Sequence, residues 1–571
     1  MLLHKPYFYL FFILIFNFVA LNSYAQRESN TANEKENHWV DSVFNKLSKR
    51  QKIAQLFFVR AHTDKGKRYE DSVADVIRDQ QIGGLVFFQG GPVRQAELIN
   101  KYQKIANVPL LIAMDGEWGL GMRLDSTVSY PFQMTLGAIR DNTLIYKMGQ
   151  QVAYDFKRLG MQINFAPDMD VNNNPNNPVI NYRSFGDNKY NVAEKGIAYM
   201  EGMQSQGILT TAKHFPGHGD TNVDSHFDLP LLPFTRKRLD TLEEYPFKQA
   251  INAGISGIMV AHMDIPALDD TKNLPSTLSP KIVTGILKDS LGFKGLVVSD
   301  AMEMKAVTKY FPDGEAELKA FIAGEDIIEL SQNSDVAITK ICKALRKGII
   351  AQDELDRRVK KILAAKYHSG LADRRDISTT HLIEDLNRPA AVQLEQQLSD
   401  AAVTVIKGTT STLQMDPLLR TAIISVGVDG PTIFQQELCQ WYRNSRLFMI
   451  DKNTSPEHLK QLIEVLKQYD QVYIGIHDIR ARPQSKLDFS PEVMSFLTQA
   501  VEHRNSVACV FANPYTIATI PGIEKSSAVM ACYQMTDDLQ RSAVKVITLR
   551  LNATGKLPVT INATFKNGTG L

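Results

Sequence analysis

From Trp39 to Tyr367 the chain repeats one pattern: a short apolar run, then an amphipathic stretch of helical period. The runs fall at 54–59, 83–88, 109–114, 162–166, 208–212, 257–261, 295–299 and 326–330; amphipathic stretches include 93–106, 187–206 and 239–253. Continuous apolar runs of this length suit strands buried on both faces. Parallel strands need a crossover of helix length, which the intervening stretches supply. Eight such units in about 330 residues predict an N-terminal (β/α)8 TIM barrel, a fold that spans about 250 residues or more. Its C-terminal strand ends share one mouth, where active sites sit.

Those ends are chemically unusual. Run three ends in Asp115, followed by Glu117 and Trp118. Run four ends in Pro167-Asp168, run five in Lys213-His214, and run six in His262 with Asp264 close behind. Run seven ends in Ser299-Asp300, followed by Glu303. Any one of these is ordinary loop charge; at five strand ends they converge once the barrel closes. After run four, residues 177–186 are rich in turn formers and predict a long ordered loop on the same face. Its Arg183 carries a guanidinium fork suited to hydroxyls or a carboxylate.

The densest segment runs from Lys213 to His226: Lys-His-Phe-Pro-Gly-His-Gly-Asp-Thr-Asn-Val-Asp-Ser-His. Gly217 and Gly219 allow turns that other residues resist. Asp224 and His226 lie two apart, so a turning loop brings carboxylate and imidazole together. An oriented imidazole near neutral pKa is a proton-transfer device. His214, His218 and Asp220 are alternative metal ligands, but their spacing matches no helical metal motif. Acid–base chemistry is the stronger expectation, with no metal and no cofactor.

The chain has 571 residues, enough for two domains with separate cores. A formal charge of +2 gives no reason to expect a nucleic acid partner. Cys342, Cys439, Cys509 and Cys532 lack CxxC spacing and predict buried thiols. Residues 1–25 begin with Lys5, continue with an apolar run over 7–20 and end in Ser23-Tyr24-Ala25. That is the pattern of a secretory signal peptide cut after Ala25, its apolar run short of the roughly 20 residues of a membrane span. The expectation is a secreted or periplasmic protein with no stable membrane insertion after cleavage. Residues 26–38 are polar and predicted to be flexible.

Helical pattern over 353–367 completes a barrel domain spanning 39–370, and the charged stretch 371–400 reads as a linker. Strand-like runs then appear at 403–406, 421–426, 447–450, 471–476, 506–511 and 528–532, with helical stretches at 433–442, 456–469, 491–503 and 537–549. Residues 401–571 are therefore predicted to form a C-terminal α/β/α sandwich with a mostly parallel sheet. They carry no Gly-rich phosphate motif and no nucleophile elbow. The polar loop 486–490 is a candidate to face the barrel.

The segment 213–226 resembles the signature of family 3 glycoside hydrolases in the β-N-acetylglucosaminidase branch, Lys-His-Phe-Pro-Gly-His-Gly-x-Thr-x-x-Asp-Ser-His. The resemblance covers most of residues 39–367. It implies a (β/α)8 barrel that removes terminal β-linked N-acetylglucosamine with retention, through a covalent glycosyl-enzyme. The implied nucleophile is Asp300, within Ser299-Asp300-Ala301-Met302-Glu303-Met304. The implied acid–base is His226, assisted by Asp224, and the implied sugar-binding residues are Asp115, Arg183, Lys213 and His214. The family's Glu-Gly-Gly-x-Val-x-Arg element appears as Glu117-Trp118-Gly119-Leu120-Gly121-Met122-Arg123. Trp118 and Gly121 depart from it; Arg123 stays a substrate-binding candidate, as does His262. Residues 555–560 resemble the closing strand of the α/β domain appended in many members.

The residues themselves allow this chemistry. Cleaving a glycosidic bond takes a nucleophile or base at the sugar carbon and a proton donor for the leaving oxygen. A rigid strand would hold Asp300 at the mouth, and Trp118 offers an aromatic face. No glutamate stands out as proton donor, whereas Asp224 would orient the His226 imidazole and raise its pKa. The substrate class expected is a carbohydrate, namely peptidoglycan fragments or chitin-type oligosaccharides. Three alternatives stay open. A β-glucosidase of the family takes its acid from a later domain and lacks the Asp-Ser-His triplet. A phosphorylase would exploit a neutral histidine that does not repel phosphate. A sugar-binding protein without catalysis is disfavoured by Asp300, Asp224 and His226 occurring together.

Overall fold

The computed structural model describes residues 34–312 and 314–571. The expected signal peptide, 1–25, lies outside the described residues. Of the stretch expected to be flexible, residues 34–38 instead open a helix that runs to residue 46.

Eight strands build the first sheet: β1 (Phe57–Ala61), β2 (Gly84–Phe87), β3 (Leu111–Met114), β4 (Ile163–Asn164), β5 (Leu209–Phe215), β6 (Gly257–Val260), β7 (Leu296–Ser299) and β8 (Ile328–Glu329). All pair in parallel, in the order β7-β6-β5-β4-β3-β2-β1-β8. The parallel bridge between Val298 and Ile327 closes the ring. The (β/α)8 barrel read from the alternation is thus the observed fold. β2, β3, β6 and β7 are buried at every residue, as strands enclosed by a helical layer must be.

Side-chain caps start two of the long outer helices. Asp141 accepts from the Thr143 N–H ahead of the helix Asn142–Arg158, and Asn188 accepts from Tyr190 and Asn191 ahead of Lys189–Gln204. These two helices lie close because Gly149 faces backbone; a Cβ there would sit 2.4 Å from the Tyr199 carbonyl oxygen. The stretch 239–253, expected as one helix, is two: Arg236–Thr241 and Tyr245–Asn252. Pro246 sits in the first turn of the second, where its missing N–H does no harm.

The second sheet contains β9 (Thr404–Lys407), β10 (Thr421–Val426), β11 (Ser445–Ile450), β12 (Gln471–His477), β13 (Ser506–Phe511) and β14 (Ala528–Ala531). Their order is β11-β10-β12-β13-β14-β9, parallel except for β9, which runs antiparallel to β14. Successive strand residues point to opposite faces. Ile423, Tyr473 and Cys509 pack with Phe434, Leu438 and Leu539 on one face. Ile424, Ile474 and Val510 pack with Leu459, Leu462 and Phe496 on the other. The three-layer sandwich follows. The chain's four cysteines are all free thiols, Cys509 and Cys532 buried, Cys342 and Cys439 half-buried.

Two expectations need correction. The linker 371–400 is largely helical, with Leu382–Leu386 and Pro389–Ala402 both packed against Asn142–Arg158. Its apolar residues are few but well spaced: Leu382, Leu386, Leu394 and Leu398 are all buried. Residues 555–560 form no strand. They lie along the barrel instead, where the Lys556 N–H donates to the Ala138 carbonyl and the Asp187 N–H to the Pro558 carbonyl. Among the described residues no helix is long and apolar enough to cross a membrane.

Candidate active site

Five charged side chains interlock at the C-terminal end of the barrel. Lys213, within β5, places Nζ 2.7 Å from Asp115 Oδ1 and 2.9 Å from Glu117 Oε1. Arg123 Nη2 is 2.6 Å from Asp115 Oδ2. Arg183 forks Glu117, with Nη2 2.6 Å from Oε1 and Nε 3.0 Å from Oε2. Burial alone would raise the pKa of Asp115, but Lys213 and Arg123 overcome it and hold the carboxyl well below its ordinary range. Arg183 and Lys213 do the same for Glu117, which falls to about 2. Burial opposes the charge on Lys213, yet the two acids raise its pKa. The expected group of Asp115, Arg123, Arg183 and Lys213 is therefore assembled, all in their charged forms.

Behind it, His214 Nδ1 lies 2.7 Å from Asp170 Oδ2, and Asp170 Oδ1 accepts the His218 N–H at 2.6 Å. Asp168, the acid singled out at the end of run four, has a different character. Its Oδ2 is buried without a hydrogen-bond partner. Burial, and then the neighbouring Asp170 charge, push its pKa well above the ordinary carboxylate value. Glu117 and Asp170 received no role from the sequence. Each follows a flagged acid by two residues, the spacing that returns a side chain to the same side of an extended segment, and that was the available signal.

Asp168, Asp170 and His214 bring one potential metal donor each within 4.8 Å of one another. Asp170 and His214 are already bonded to each other, which leaves Asp168 Oδ2 as the one unengaged donor of the three. The set is built as a buttress for His214. The alternative trio of His214, His218 and Asp220 does not assemble, because Asp220 pairs with Arg238.

The loop after β5 carries the expected acid–base pair. Asp224 Oδ1 lies 2.7 Å from His226 Nδ1 and accepts the His226 N–H at 2.9 Å. The hydrogen bond to Asp224 raises the His226 pKa against the effect of burial, and the charge of Asp300 adds to it. The His226 side chain is 63% exposed. Its loop is anchored by His218, whose ring nitrogens lie 2.7 Å from Thr221 Oγ1 and 3.2 Å from Ser225 Oγ. Burial lowers the His218 pKa to about 4, so that ring is a neutral clamp. Gly217 adopts φ +135, the turn freedom expected of it. Gly219 serves another purpose: a Cβ there would lie 1.9 Å from the Val171 carbonyl oxygen.

Asp300 follows β7, its Oδ1 accepting the Ala301 N–H at 2.7 Å. Burial would raise its pKa; His262 and His214 more than offset that and keep it below the ordinary carboxylate value. His262 was expected to touch substrate and does not present an atom for it. The ring is fully buried, with Nδ1 2.7 Å from Thr277 Oγ1 and Nε2 3.1 Å from the Ala301 carbonyl. It supports the Asp300 turn from beneath. Trp118 packs edge-on to Phe132, ring centroids 4.7 Å apart, and is half-buried. Glu329, at the end of β8, was overlooked. It is buried with Oε2 unpartnered, and burial together with the charges of Asp115 and Asp300 raises its pKa well above the ordinary carboxylate value. Its signal was an acid set between the apolar residues Ile328 and Leu330 of run eight.

A carboxylate just past a strand end, an exposed imidazole backed by an aspartate, and a cluster of fixed charges at the same end of the barrel suit bond cleavage at a polyhydroxylated centre. Comparison with known proteins agrees. The glycosyl hydrolase family 3 N-terminal domain matches residues 48–365. Beta-hexosaminidase A of Pseudoalteromonas piscicida is 28% identical over 550 residues, covering 86% of this chain and 91% of that protein. Beta-hexosaminidase LpqI of Mycobacterium tuberculosis is 30% identical over 341 residues, covering 56% and 83%. A family 3 beta-N-acetylglucosaminidase structure from Paenibacillus sp. str. FPU-7 superposes with a TM-score of 0.77 at 29% identity, covering 90% of this chain and 99% of that one. A beta-glucoside phosphorylase, BglX, superposes with a TM-score of 0.78 at 21% identity, a likeness of fold. With its matched domain spanning more than half of the chain, this protein belongs to glycosyl hydrolase family 3.

Proposed function

We propose that this protein is an exported, retaining exo-β-N-acetylglucosaminidase acting on peptidoglycan fragments or chitin-type oligosaccharides. The observation that carries the reading is the 2.7 Å pair of His226 and Asp224 on a loop facing Asp300. Relatives named beta-hexosaminidase, and the amino-terminal pattern of residues 1–25, support it.

Asp300 attacks the anomeric carbon, forming a C–O bond as the bond to the leaving oxygen breaks. The imidazolium of His226 gives its Nε2 proton to that oxygen. In the second half, neutral His226 takes a proton from water, the water oxygen bonds to the anomeric carbon, and the Asp300 carboxylate departs. Two inversions give net retention. Asp224 orients the ring through Nδ1 and favours its charged form. Asp115, Arg123, Arg183, Lys213 and His214 hold the sugar hydroxyls, with donors and acceptors alternating as hydroxyls require.

Initial rates on 4-nitrophenyl β-N-acetylglucosaminide and on the matching glucoside test the reading, with wild type, Asp300→Ala and His226→Ala. Turnover of the acetamido sugar, abolished in the first variant and strongly reduced in the second, supports it. Turnover of the glucoside alone, or indifference to His226, would overturn it. Repeating the assay in phosphate and looking for a sugar phosphate separates hydrolysis from phosphorolysis.

A further inference from the structure

The second sheet turns the C-terminal ends of three parallel strands toward the barrel. Ser485 comes from the loop after β12, Asn513 and Tyr515 from the one after β13, and Gln534 from the one after β14. In open α/β sheets this edge is where ligands usually bind. Here it receives the barrel's own loop, residues 172–187. Asn513 Nδ2 donates to Asn181 Oδ1 at 2.5 Å. Asn181 Nδ2 donates to Ser485 Oγ at 3.0 Å and to the Pro175 carbonyl at 2.9 Å, while its N–H donates to Asn172 Oδ1 at 3.1 Å. Asn172 Nδ2 in turn donates to the Tyr515 hydroxyl at 3.1 Å. Asn172, Asn181, Asn513 and Tyr515 are all buried.

Asn181 is the centre of this network, and its backbone is unusual. Its φ is +41, a region that side chains other than glycine rarely occupy and asparagine tolerates best. It opens the single turn Asn181–Arg183. Arg183 therefore leaves the loop from a conformation that Asn181 would relax out of if its amide were not held. The fork onto Glu117, and the 3.4 Å approach of Nη2 to His214 Nε2, depend on that exit direction.

We infer that the second domain acts as a positioning device for Arg183, with Asn513 as the residue that transmits it. This rests on the proposed role of Arg183 in binding the sugar. The barrel supplies the guanidinium; the sandwich, through Asn513 and Tyr515, fixes where it points. No atom of the second domain need touch substrate for the domain to set affinity.

Asn513 allows a narrow test. Its Oδ1 accepts the Tyr515 N–H at 3.1 Å, capping its own turn. Asn513→Asp keeps that acceptor and the side-chain volume, and sets an acceptor against Asn181 Oδ1. Full-length wild type, Asn513→Asp and Tyr515→Phe should be compared by amide hydrogen exchange and by kinetics on 4-nitrophenyl β-N-acetylglucosaminide. The expected result is faster exchange over residues 172–186 with unchanged protection in β13. A displacement of a binding group by about 1 Å is enough to change rates by up to ~100-fold, so KM should rise about tenfold in Asn513→Asp while kcat changes less than about threefold. Equal exchange over 172–186 in wild type and Asn513→Asp overturns the inference, and so does faster exchange with unchanged KM. Should wild type fail to turn over the sugar, the proposed function falls, while the exchange comparison still decides whether Asn513 holds the loop.

Discussion

Glu117 joins the two halves of the charge network. Its carboxylate is fully buried between Arg183 and Lys213, so removing its charge leaves Arg183 without its forked partner and Lys213 with Asp115 alone. Breaking one partner of a buried ion pair costs about 3–5 kcal/mol. Glu117→Gln is expected to destabilise by that order, read by urea denaturation, and to weaken substrate binding; stability equal to wild type would show that the cations find other partners. The pH dependence follows from the sign of the shift. The folded pKa of Glu117 is depressed, to about 2. Its contribution is therefore complete above the unfolded carboxylate value of about 4 and is lost as pH falls toward the folded one. Acid denaturation of Glu117→Gln should accordingly lack part of the loss seen in wild type below about pH 4. At His226 the direction reverses. Asp224 raises the imidazole pKa, so protonated His226 survives to higher pH than a free histidine. In Asp224→Asn the alkaline limb of kcat/KM should move to lower pH. A limb that stays in place would remove His226 as the titrating acid.

At the scale of elements, the loop 217–228 decides whether the acid reaches its substrate. Its backbone is pinned by the neutral His218 ring between Thr221 and Ser225 and by the His218 N–H on Asp170. His226 itself is held only by Asp224 and stands largely in solvent. His218→Ala should thus displace the acid while keeping the backbone N–H that Asp170 accepts. We expect kcat to fall by about ten- to a hundredfold with KM nearly unchanged. A matching rise in KM would indicate that His218 supports His214 instead. Glycine placement in this loop was legible, but its two reasons differed. Gly217 is required by a positive φ, and Gly219 by the approach of the Val171 backbone, a neighbour 48 residues earlier in the chain that local pattern does not reveal.

For the whole molecule, the contact between barrel and sandwich includes specific polar pairs. Gln534 Oε1 accepts from the Phe132 N–H at 2.6 Å and from Thr135 Oγ1 at 2.7 Å. Gln534→Leu would leave both donors buried and unpaired, at about 1–3 kcal/mol each. The full-length variant should unfold at lower denaturant, with its barrel loops exchanging first. Coincident loss of both domains at the wild-type midpoint would contradict this. Gly137 and Gly186 make the same point sterically: a Cβ on Gly186 would lie 2.1 Å from the Pro558 carbonyl oxygen. A bulkier residue there would part the two domains.

The alternation of apolar runs and amphipathic stretches was enough to specify a closed parallel barrel and a three-layer sandwich, because burial on both faces of a strand is written in consecutive residues. The same local rule marked Asp115, Lys213, His214 and Asp300 as strand-end groups, and the two-residue spacing of Asp224 and His226 marked their pairing. Partnership across elements was invisible to it. Glu117 finds Arg183 66 residues away, Asp170 finds His214 44 residues away, and Asn181 finds Asn513 332 residues away. The helical link over 371–400, the buried ring of His262 and the bracing of residues 555–560 were likewise settled only by packing. Hydrogen bonds and ion pairs depend on distances in space, and sequence spacing encodes those only within one strand, helix or turn.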